Sequence, residues 1–375
     1  MLSYKISDAS VRELKRIGET AAEKSVLLST MPEDKKEAMR RYAMVSQVGS
    51  TTRIENAVLT DVEVEWMDRT LSMDGRPTSF QKEKAHIEDK LSKERERSIE
   101  EVAGCRNMLA IVYSQAEDLF PLTRTALKGL HQEMLKFHPP ASHYLGRYKV
   151  VPNNVVETFG TEIRSEVLKT ADPGPITEAA MRDLVDWYNA ELPNHLWPVA
   201  VAAEFVFRFL AIHPFQDGNG RLGRAFFNLA LLQCGDRALK TIVPYLALDR
   251  HIEQHKEEYY LVLKRCSGGR FLQDPRKYHI ELFLKFMAKM LSESLGNDID
   301  HYAGRYDLIR NLAGAPKTAL ECFRDFPERR LAIKDIVEHA GLPRRTAIHA
   351  LKALLTQGLI VKTGKGPAAA YRIAF

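Results

Sequence analysis

The apolar run "LWPVAVAAEFVFRFLAI" at residues 196–212 is the feature that most constrains how this chain can fold. Such a run must be buried, but Glu204 and Arg208 interrupt it and leave it short of a membrane span. A helix that is apolar on nearly all sides belongs in the interior of a helical protein. We therefore expect a mainly α-helical core built around this segment.

Length and composition set broad limits. The chain has 375 residues, with 45% hydrophobic and 27% charged residues, which is ordinary for a folded protein of more than one domain. The net charge of +5 is too mild to indicate a partner for the whole chain. The four cysteines are widely spaced without a CxxC pair, which favours free thiols in a reducing compartment. Because the N-terminus lacks an apolar signal segment, we expect a cytoplasmic protein with no membrane partner.

Helical patterns dominate the first 300 residues, with one predicted hairpin. The stretch "PEDKKEAMRRYAMVSQVGSTTRIEN" predicts a helix that Asn56 ends in a left-handed conformation, and another helix begins near Thr60. A polar connection at 72–84 precedes a long charged helical stretch. Residues 146–160, "GRYKVVPNNVVETFG", predict a β-hairpin with its turn at Asn153-Asn154.

The last 75 residues have a different pattern. Three short helical segments, with a turn at Gly341 between the second and third, precede the strands "LIVKT" and "AYRIAF" around the loop "GKGPAA". This layout is typical of a winged helix-turn-helix domain. We therefore predict three parts, which are N-terminal helices at 1–75, a catalytic core at 76–300 and a winged-helix domain at 301–375.

Basic residues are concentrated in this predicted domain. Residues 317–372 contain eleven Lys or Arg against five Asp or Glu. Arg344, Arg345, His349 and Lys352 lie off the apolar stripe of the third helix, while Lys362 and Lys365 flank the wing. These residues suit contacts to DNA phosphates. The alternative is an adaptor that docks a protein partner or packs on the core, and a homodimer also stays open.

The sequence "HPFQDGNGRLGR" at 213–224 directly follows the apolar run. Gly218 and Gly220 allow unusual backbone angles and a close approach to a ligand. The loop leads into a helix expected to begin near Arg221, and the amides at a helix N-terminus bind anions. A carboxylate beside such a site would repel phosphate unless a metal lies between them, so Asp217 is interpreted as a Mg²⁺ ligand.

Three further side chains complete this pattern. Arg221 and Arg224 are close enough on one helix to hold successive phosphates of one ligand. His213 suits a general base near neutral pH. The alternative, a polar turn in which His213 caps the preceding helix, explains fewer of the residues than a phosphate-transfer site does.

This run resembles the signature of the Fic family, HPFx[D/E]GNGRxxR, at every specified position. The resemblance implies an all-helical core with a β-hairpin flap beside the active site. It also implies transfer of AMP from ATP to a hydroxyl side chain of a target protein, with release of pyrophosphate. By the same resemblance His213 deprotonates the target Ser, Thr or Tyr, and Asp217 holds Mg²⁺ on the α- and β-phosphates.

The resemblance also assigns the remaining positions of the run. The backbone at Gly218, Asn219 and Gly220 holds the phosphates, Arg221 supports the β-phosphate and Arg224 the γ-phosphate. A related branch, the Doc-like kinases, has Ala and Lys where this chain has Gly218 and Gly220, so adenylylation is favoured over phosphorylation. The hairpin edge suits strand addition of a target segment, the alternative being a structural ribbon.

The sequence "TTRIEN" at 51–56 fits the inhibitory pattern [S/T]xxxE[G/N] of the Fic family. Its position before the core implies the second class of these proteins, with Thr51, Glu55 and Asn56 as the regulatory residues. Arg224 can form one bidentate pair at a time, either with Glu55 or with the γ-phosphate. In some relatives the same glutamate helps to remove AMP, so a bifunctional enzyme stays open. The alternative is an ordinary surface glutamate near a helix end.

The stretch "HIEQHKEEYY" at 251–260 is a weaker signal. Relatives tend to have NRxxYY here, lining the adenine pocket, and His255 departs from that pattern. His255 and Tyr260 are nevertheless assigned to nucleotide binding, while aromatic core packing of Tyr259 and Tyr260 is the alternative. Taken together, the sequence predicts an autoinhibited protein adenylyltransferase that uses ATP and Mg²⁺. The alternative function is a DNA-binding transcriptional regulator whose Fic core is vestigial or modifies only itself.

Overall fold

The structure of the protein is a computed structural model that describes residues 1–72, 79–159, 162–364, 366 and 369–375, and the side chains of all these except 157–159 and 162–164. It is mostly helical, as predicted. In chain order the described elements are α1 (Asp8–Ser29), α2 (Glu33–Ile54), α3 (Asp61–Thr70), α4 (Phe80–Leu91), α5 (Glu96–Ser114), α6 (Arg124–Leu135), β1 (Asn154–Phe159), β2 (Glu162–Lys169), α7 (Pro175–Glu191), α8 (Pro198–Ile212), α9 (Asn219–Gln233), α10 (Arg237–Ile242), α11 (Leu248–Gln254), α12 (Lys256–Ser267), α13 (Ile280–Arg310), α14 (Gly314–Asp325), β3 (Leu331–Ala332), α15 (Ile333–Ala340), α16 (Arg344–Thr356), β4 (Ile360–Thr363) and β5 (Ala370–Ile373).

The chain divides into two compact units. The first unit contains Met1–Ala57 and Glu100–Ile299, and the second contains Val58–Ile99 and Asp300–Phe375. The residues 301–375 predicted as a separate domain are thus grouped with the helices α3 and α4. The predicted divisions after residues 75 and 300 stay predictions.

Helix α8 is the centre of the first unit. Every residue of α8 except Arg208 is buried, and the helix packs along α9 and α7. The helix predicted within the apolar run is therefore confirmed over Pro198–Ile212, whereas Leu196, at the start of the run, is exposed. Glu204 is fully buried, and its carboxylate pairs with Arg208 at 3.2 Å. No helix among the described residues combines the length and the apolar content needed to cross a membrane.

The hairpin exists, but its predicted turn is wrong. β1 begins at Asn154 and pairs antiparallel with β2, so the strands of the hairpin lie after the Asn153-Asn154 pair and not on both sides of it. Asn153 instead donates its side-chain amide to the carbonyl of Phe215 at 2.7 Å. A tertiary hydrogen bond therefore uses the residue that the sequence assigned to a turn. Gly160, the end of the predicted hairpin, lies outside the described residues.

Two predicted helical stretches are interrupted. The charged stretch after residue 84 breaks between α4 and α5 at Ser92, whose φ of 86° is left-handed. The sequence "DRHIEQHKEEYYLVLKRC" at 249–266 also has a helical pattern and predicts one helix, but it breaks at His255, which separates α11 from α12. The helix end at Asn56 is confirmed, because α2 ends at Ile54 and Asn56 has a φ of 71°. Residues 73–78 of the predicted polar connection lie outside the described part.

The C-terminal part of the second unit contains three helices and a small sheet. The sheet has the antiparallel order β3-β5-β4, and Gly341 ends α15 with a φ of 62°. A compact apolar core joins these elements, and its members include Leu320, Phe323, Ile336, Leu351, Leu354, Ile360 and Tyr371. The order of elements is the predicted one, with β3 in addition, and the winged-helix assignment stays a prediction. Lys365, the predicted wing residue, lies outside the described residues.

Candidate active site

The loop between α8 and α9 begins at His213. This residue caps the C-terminus of α8 in a left-handed conformation (φ 54°, ψ 58°), and its N–H donates to the carbonyl of Phe209 at 2.8 Å. Helix α9 begins at Asn219, two residues before the predicted start at Arg221, with Gly218 as its N-cap. The amides of Asn219, Gly220 and Arg221 therefore fall in the first turn, where a helix leaves its N–H groups without internal partners.

Asn219 fixes the shape of this loop. Its Oδ1 accepts from the N–H of Phe215 at 2.9 Å, and its Nδ2 donates to the carbonyl of the same residue at 2.8 Å. The same Nδ2 lies 3.3 Å from Nδ1 of His213. The two hydrogen bonds to Phe215 fix the positions of Oδ1 and Nδ2 of Asn219. Nδ2 therefore faces Nδ1 of His213 and orients the imidazole ring.

His131 on α6 supports the loop from below, and the sequence did not single it out. Its Nδ1 accepts from the N–H of Gly146 at 3.0 Å, so its Nε2 carries the hydrogen and donates to the carbonyl of Asp217 at 3.1 Å. The ring stacks on Phe215 with centroids 4.1 Å apart. Burial lowers the pKa of His131 to about 4, which keeps the ring neutral at pH 7.

Lys149 is the second residue that the sequence did not indicate. This buried ammonium donates to Oδ1 of Asn153 and Oγ1 of Thr170, both at 2.8 Å, and to the carbonyl of Ile212 at 3.1 Å. Asn153 precedes β1 and Thr170 follows β2, so Lys149 ties the base of the hairpin to the residue before His213. Burial lowers the pKa of Lys149 to about 8.

The same lysine influences His213. Burial, with the nearby charge of Lys149, lowers the pKa of His213 to about 3, although Asp217 acts in the opposite direction. A histidine with this pKa is uncharged at pH 7, so one nitrogen of its ring carries a lone pair and can accept a proton. His213 is therefore in the protonation state that a general base requires.

The two glycines of the loop are required by close contacts. Gly218 has a φ of 81°, and a β-carbon there would collide with the end of the Met134 side chain. A β-carbon at Gly220 would overlap Oε1 of Glu55 and lie 3.2 Å from Nη1 of Arg224. The backbone at 218–220 is thus open to a group that approaches as closely as the Glu55 carboxylate does.

Arg221 and Asp217 form the outer side of the site. Arg221 is 2% exposed, with Asp217 at 3.5 Å and Glu101 at 3.9 Å. Burial lowers the pKa of Arg221, but these carboxylates outweigh that effect and hold it above its ordinary value. Its Nε and Nη1 have no hydrogen-bond partner among the described residues. The Asp217 side chain is 42% exposed, so its carboxylate is accessible to a cation.

Arg224 is 1% exposed and lies between two carboxylates. Its Nη2 donates to Oε1 of Glu55 at 2.8 Å and to the carbonyl of Thr51 at 2.9 Å. Its Nε donates to Oγ1 of Thr51 at 2.9 Å and lies 3.4 Å from Oδ2 of Asp249. Burial opposes the charge, but Glu55 and Asp249 raise the pKa of Arg224 well above its ordinary value. Asp249, which is also 1% exposed, was not expected from the sequence.

Glu55 reaches Arg224 from the end of α2, of which it is the C-cap. The structure therefore brings together Thr51, Glu55 and Arg224, whereas Asn56 turns outward, and its Oδ1 accepts from Lys256 at 3.3 Å. The neighbouring Arg53 binds Glu253 of α11 through two hydrogen bonds of 2.7 and 2.9 Å. This pair and the Thr51 bonds hold the last turn of α2 over the loop.

These groups surround a cavity of about 230 Å³. It is lined by Glu55, residues 153–156 at the start of the hairpin, Leu210, His213, residues 216–220, Arg224, Tyr259, Tyr260 and Leu263. Tyr259 and Tyr260 therefore both border the site. His255 is not part of this lining, because its ring turns back to the carbonyl of His251 at 3.0 Å. In the described residues no group of three or more His, Cys, Asp or Glu side chains forms a metal site.

Comparisons with known proteins give a consistent result. The Fic/DOC family model matches residues 121–231, which include the whole loop and α9 up to Leu231. A protein named protein adenylyltransferase Fic from Drosophila willistoni is 34% identical over 119 residues, or 30% of this chain and 22% of that protein. The chain thus spans about a fifth of the length of that curated relative.

Solved structures share the fold. A Fic family protein from Desulfovibrio desulfuricans superimposes with a TM-score of 0.56 at 21% identity, covering 100% of this chain and 98% of that one. A Fic domain containing signaling protein from Bacteroides thetaiotaomicron gives 0.54 at 22% identity over 78% of this chain and 98% of its own. The family match, the named relatives and the shared fold agree that residues 121–231 contain a Fic domain.

Proposed function

We propose that this protein is an adenylyltransferase that transfers AMP from ATP to a hydroxyl side chain of a target protein or of itself, and that Glu55 inhibits it. The observation that carries the proposal is the convergence of three groups on one cavity: a neutral histidine, the amides that begin α9 and the guanidinium of Arg224. The name of the relative from Drosophila willistoni agrees with this activity. The free, buried cysteines fit a reducing compartment, and we propose the cytoplasm.

In the proposed reaction the target hydroxyl oxygen attacks the α-phosphorus of ATP. A new oxygen–phosphorus bond forms while the bond to the oxygen that bridges the α- and β-phosphates breaks, and pyrophosphate leaves with that electron pair. The hydroxyl proton passes to His213. The low pKa of His213 keeps the ring available, and the negative charge of a bound triphosphate raises its proton affinity.

The start of α9 and the arginines suit the phosphates. Helix N-terminal amides bind anions through their free N–H groups and the helix dipole. Nη1 of Arg224 is buried without a hydrogen-bond partner among the described residues, and it faces the backbone at Gly220. An unpaired buried donor costs free energy until an acceptor reaches it, so this atom favours a phosphate oxygen at the same place.

Asp217 is the residue that fits a magnesium ion. Its exposed carboxylate is a hard oxygen donor, and Mg²⁺ commonly takes one or two carboxylates and completes its shell with phosphates and water. When bound, the ion neutralises charge on the α- and β-phosphates. Arg221, whose Nε and Nη1 have no hydrogen-bond partner in the described part of the chain, adds positive charge on the same side as Asp217.

Inhibition by Glu55 follows from competition for one space. The Glu55 carboxylate occupies Nη2 of Arg224 and lies against Gly220, where a γ-phosphate is expected. Two anions in this position repel each other. ATP that binds beside Glu55 is displaced from the in-line position, and a displacement of about 1 Å can lower the rate about a hundredfold.

The test uses ATP that carries a label on either the α-phosphate or the γ-phosphate. We expect the Glu55→Gly variant to incorporate label from the α-phosphate of Mg·ATP about a hundredfold faster than the wild type. Label at the γ-phosphate should stay in pyrophosphate, whereas protein labelled from the γ-position would identify a kinase. Glu33→Gly places a glycine at the opposite end of the same helix and serves as the matched control. Equal incorporation in the wild type and Glu55→Gly would overturn inhibition by Glu55.

The catalytic role of His213 is tested in the Glu55→Gly variant, in which the proposed inhibition is absent. His213→Ala in the Glu55→Gly background should abolish α-label incorporation while nucleotide binding persists. Persistent incorporation would remove His213 from the mechanism. Adding wild-type protein to AMP-modified Glu55→Gly protein measures whether Glu55 also supports removal of AMP.

A further inference from the structure

The charges of residues 317–375, in the C-terminal part of the second unit, are separated along the chain. From residue 339 to 375 the sequence contains six Lys or Arg and no Asp or Glu. The five acidic residues of the 317–372 segment all lie between 321 and 338, in and around α14 and α15. Helix α16 and the strands β4 and β5 therefore carry only positive charge.

Helix α16 has one apolar face and one basic face. Ala347, Ala350, Leu351 and Leu354 are buried in the core of the unit. At 100° per residue, the exposed residues of the helix fall on the opposite side. These are Arg344, Arg345, Ile348, His349, Lys352 and, at the end of the helix, Thr356.

These basic side chains are not neutralised by neighbouring acids. On α14 and the segment after it, Arg324 pairs with Glu321 and Arg329 pairs with Glu328, at 2.9 and 3.2 Å. Neither Arg344, Arg345 nor Lys352 has an ion-pair partner among the residues that the structure describes. Lys362 on β4, a strand that packs against α16, is also exposed. Arg372 on β5 alternates with the buried Tyr371 and Ile373, so its side chain lies on the opposite face of the sheet.

An apolar residue lies in the middle of this basic face. The side chain of Ile348 is 44% exposed, with Arg344, Arg345 and Lys352 one or two turns away on the same side. Nothing in the packing of the unit requires an isoleucine there. In the major groove of DNA an apolar side chain can contact the methyl group of thymine while flanking arginines bind phosphates or guanine. Pro343 provides no side-chain cap for α16, so the first amides of the helix are also available to a phosphate.

We propose that α16, with the strand β4, forms a binding surface for double-stranded DNA, with α16 in the major groove. Arg344, Arg345 and Lys352 bind phosphates and set affinity, whereas Ile348 contacts base edges and sets sequence preference. Helix α16 has 13 residues and is about 20 Å long. The major groove of B-DNA, about 12 Å wide, admits an α-helix. This activity is independent of the proposed nucleotide transfer.

The primary experiment is a salt titration with the full chain. Binding to a fluorescein-labelled 20-base-pair duplex of mixed sequence is followed by anisotropy between about 50 and 300 mM salt. Each phosphate contact contributes a slope of about −0.9 to a plot of log affinity against log salt. The Arg344→Gln/Arg345→Gln variant should therefore lose about two from that slope and bind at least tenfold more weakly at low salt.

The matched control removes the same charge elsewhere. Arg276 and Lys277 are exposed neighbours in the first unit, and Arg276→Gln/Lys277→Gln should leave both affinity and slope unchanged. Equal effects of the two double variants would mean non-specific attraction and would overturn the proposal. Failure of the wild type to bind the duplex at 50 mM salt would overturn it as well, as would stronger binding to an RNA duplex of the same length.

Ile348 separates sequence reading from electrostatics. After selection of a preferred site from a random duplex library, Ile348→Ala should lower the preference for that site over mixed sequence while the salt slope stays the same. An unchanged preference for the selected site would contradict the proposed placement of α16 in the major groove. His213→Ala should bind DNA like the wild type, so failure of the proposed enzyme activity would leave this result unaffected.

Discussion

The two pairs of arginines in this protein are built in opposite ways. Arg221 and Arg224 are 2% and 1% exposed, and each lies within 4 Å of two carboxylates. Arg344 and Arg345 are exposed, without an ion-pair partner in the described part of the chain. A buried charge is held in one geometry because its partners and packing leave no alternative. An exposed arginine can adapt to a flexible or variable anion but contributes little to folding.

This comparison indicates that the two pairs of arginines suit different kinds of ligand. The buried pair suits one small ligand whose phosphates must be placed to within a fraction of an ångström, and the exposed pair suits a long polyanion. Stability should therefore depend strongly on the first pair and barely on the second. Four measurements of unfolding, from the largest expected effect to the smallest, test that difference.

Arg224→Met should lower the free energy of unfolding by about 3–5 kcal/mol, because it leaves the buried Asp249 and the Glu55 carboxylate without their cation. The measurement is urea unfolding followed by circular dichroism at pH 7. Adding Asp249→Asn to Arg224→Met should restore part of the loss. If the single and the double variant unfold at the same urea concentration, Asp249 is not the partner that stabilises Arg224.

Acidification should destabilise the protein through His131. Its pKa is about 4 in the folded chain against 6.5 when unfolded, so between these values the unfolded chain binds a proton that the folded chain does not. Stability is therefore present above about pH 6.5 and is lost as the pH falls towards 4, by about 3 kcal/mol. The measurement is unfolding across this range for the wild type and His131→Gln. Parallel pH curves for the two proteins would contradict the assignment.

Lys149→Met should lower the free energy of unfolding by about 1–3 kcal/mol, because Asn153, Thr170 and the carbonyl of Ile212 lose a buried donor. In the Glu55→Gly background the same change should also slow AMP transfer, since the hairpin base is no longer tied to the residue before His213. Lys169→Met, at an exposed position of β2, is the control. Loss of stability without any loss of transfer would mean that Lys149 acts on the fold alone.

Arg344→Gln/Arg345→Gln should change the free energy of unfolding by less than about 0.5 kcal/mol. The reason is that both side chains are exposed and make no ion pair among the described residues. Thermal unfolding of this variant beside the wild type checks the expectation. A large loss of stability would mean that the basic face of α16 is a packing surface.

Local signals were enough to predict several elements. The left-handed Asn56 and Gly341, the apolar helix α8 and the loop that leads into α9 all follow from residues adjacent in the sequence. The hairpin turn failed for the opposite reason. Asn153-Asn154 has the right local chemistry for a turn, but Asn153 uses its amide to bind Phe215, 62 residues away.

The supporting residues of the site had no local signal. His131 lies beside Leu127, Leu130 and Met134 on α6, where a histidine is most simply a core residue. Lys149 stands in a run of β-branched residues, and it reaches its carbonyl partner across 63 positions. Long-range contacts of this kind depend on how the helices pack. A pattern in one segment cannot indicate them.

Glu55 sits at the end of a helix, and helix ends open more readily than any other part. Under the proposed inhibition, a molecule is active without an activating signal only while the last turn of α2 is unfolded. The active fraction therefore equals the fraction of molecules in which this turn is unfolded. Each loss of about 1.4 kcal/mol of stabilising free energy from that turn would raise the active fraction about tenfold. The Arg53–Glu253 pair, which holds this turn, would then set the rate of the proposed reaction in the absence of a signal.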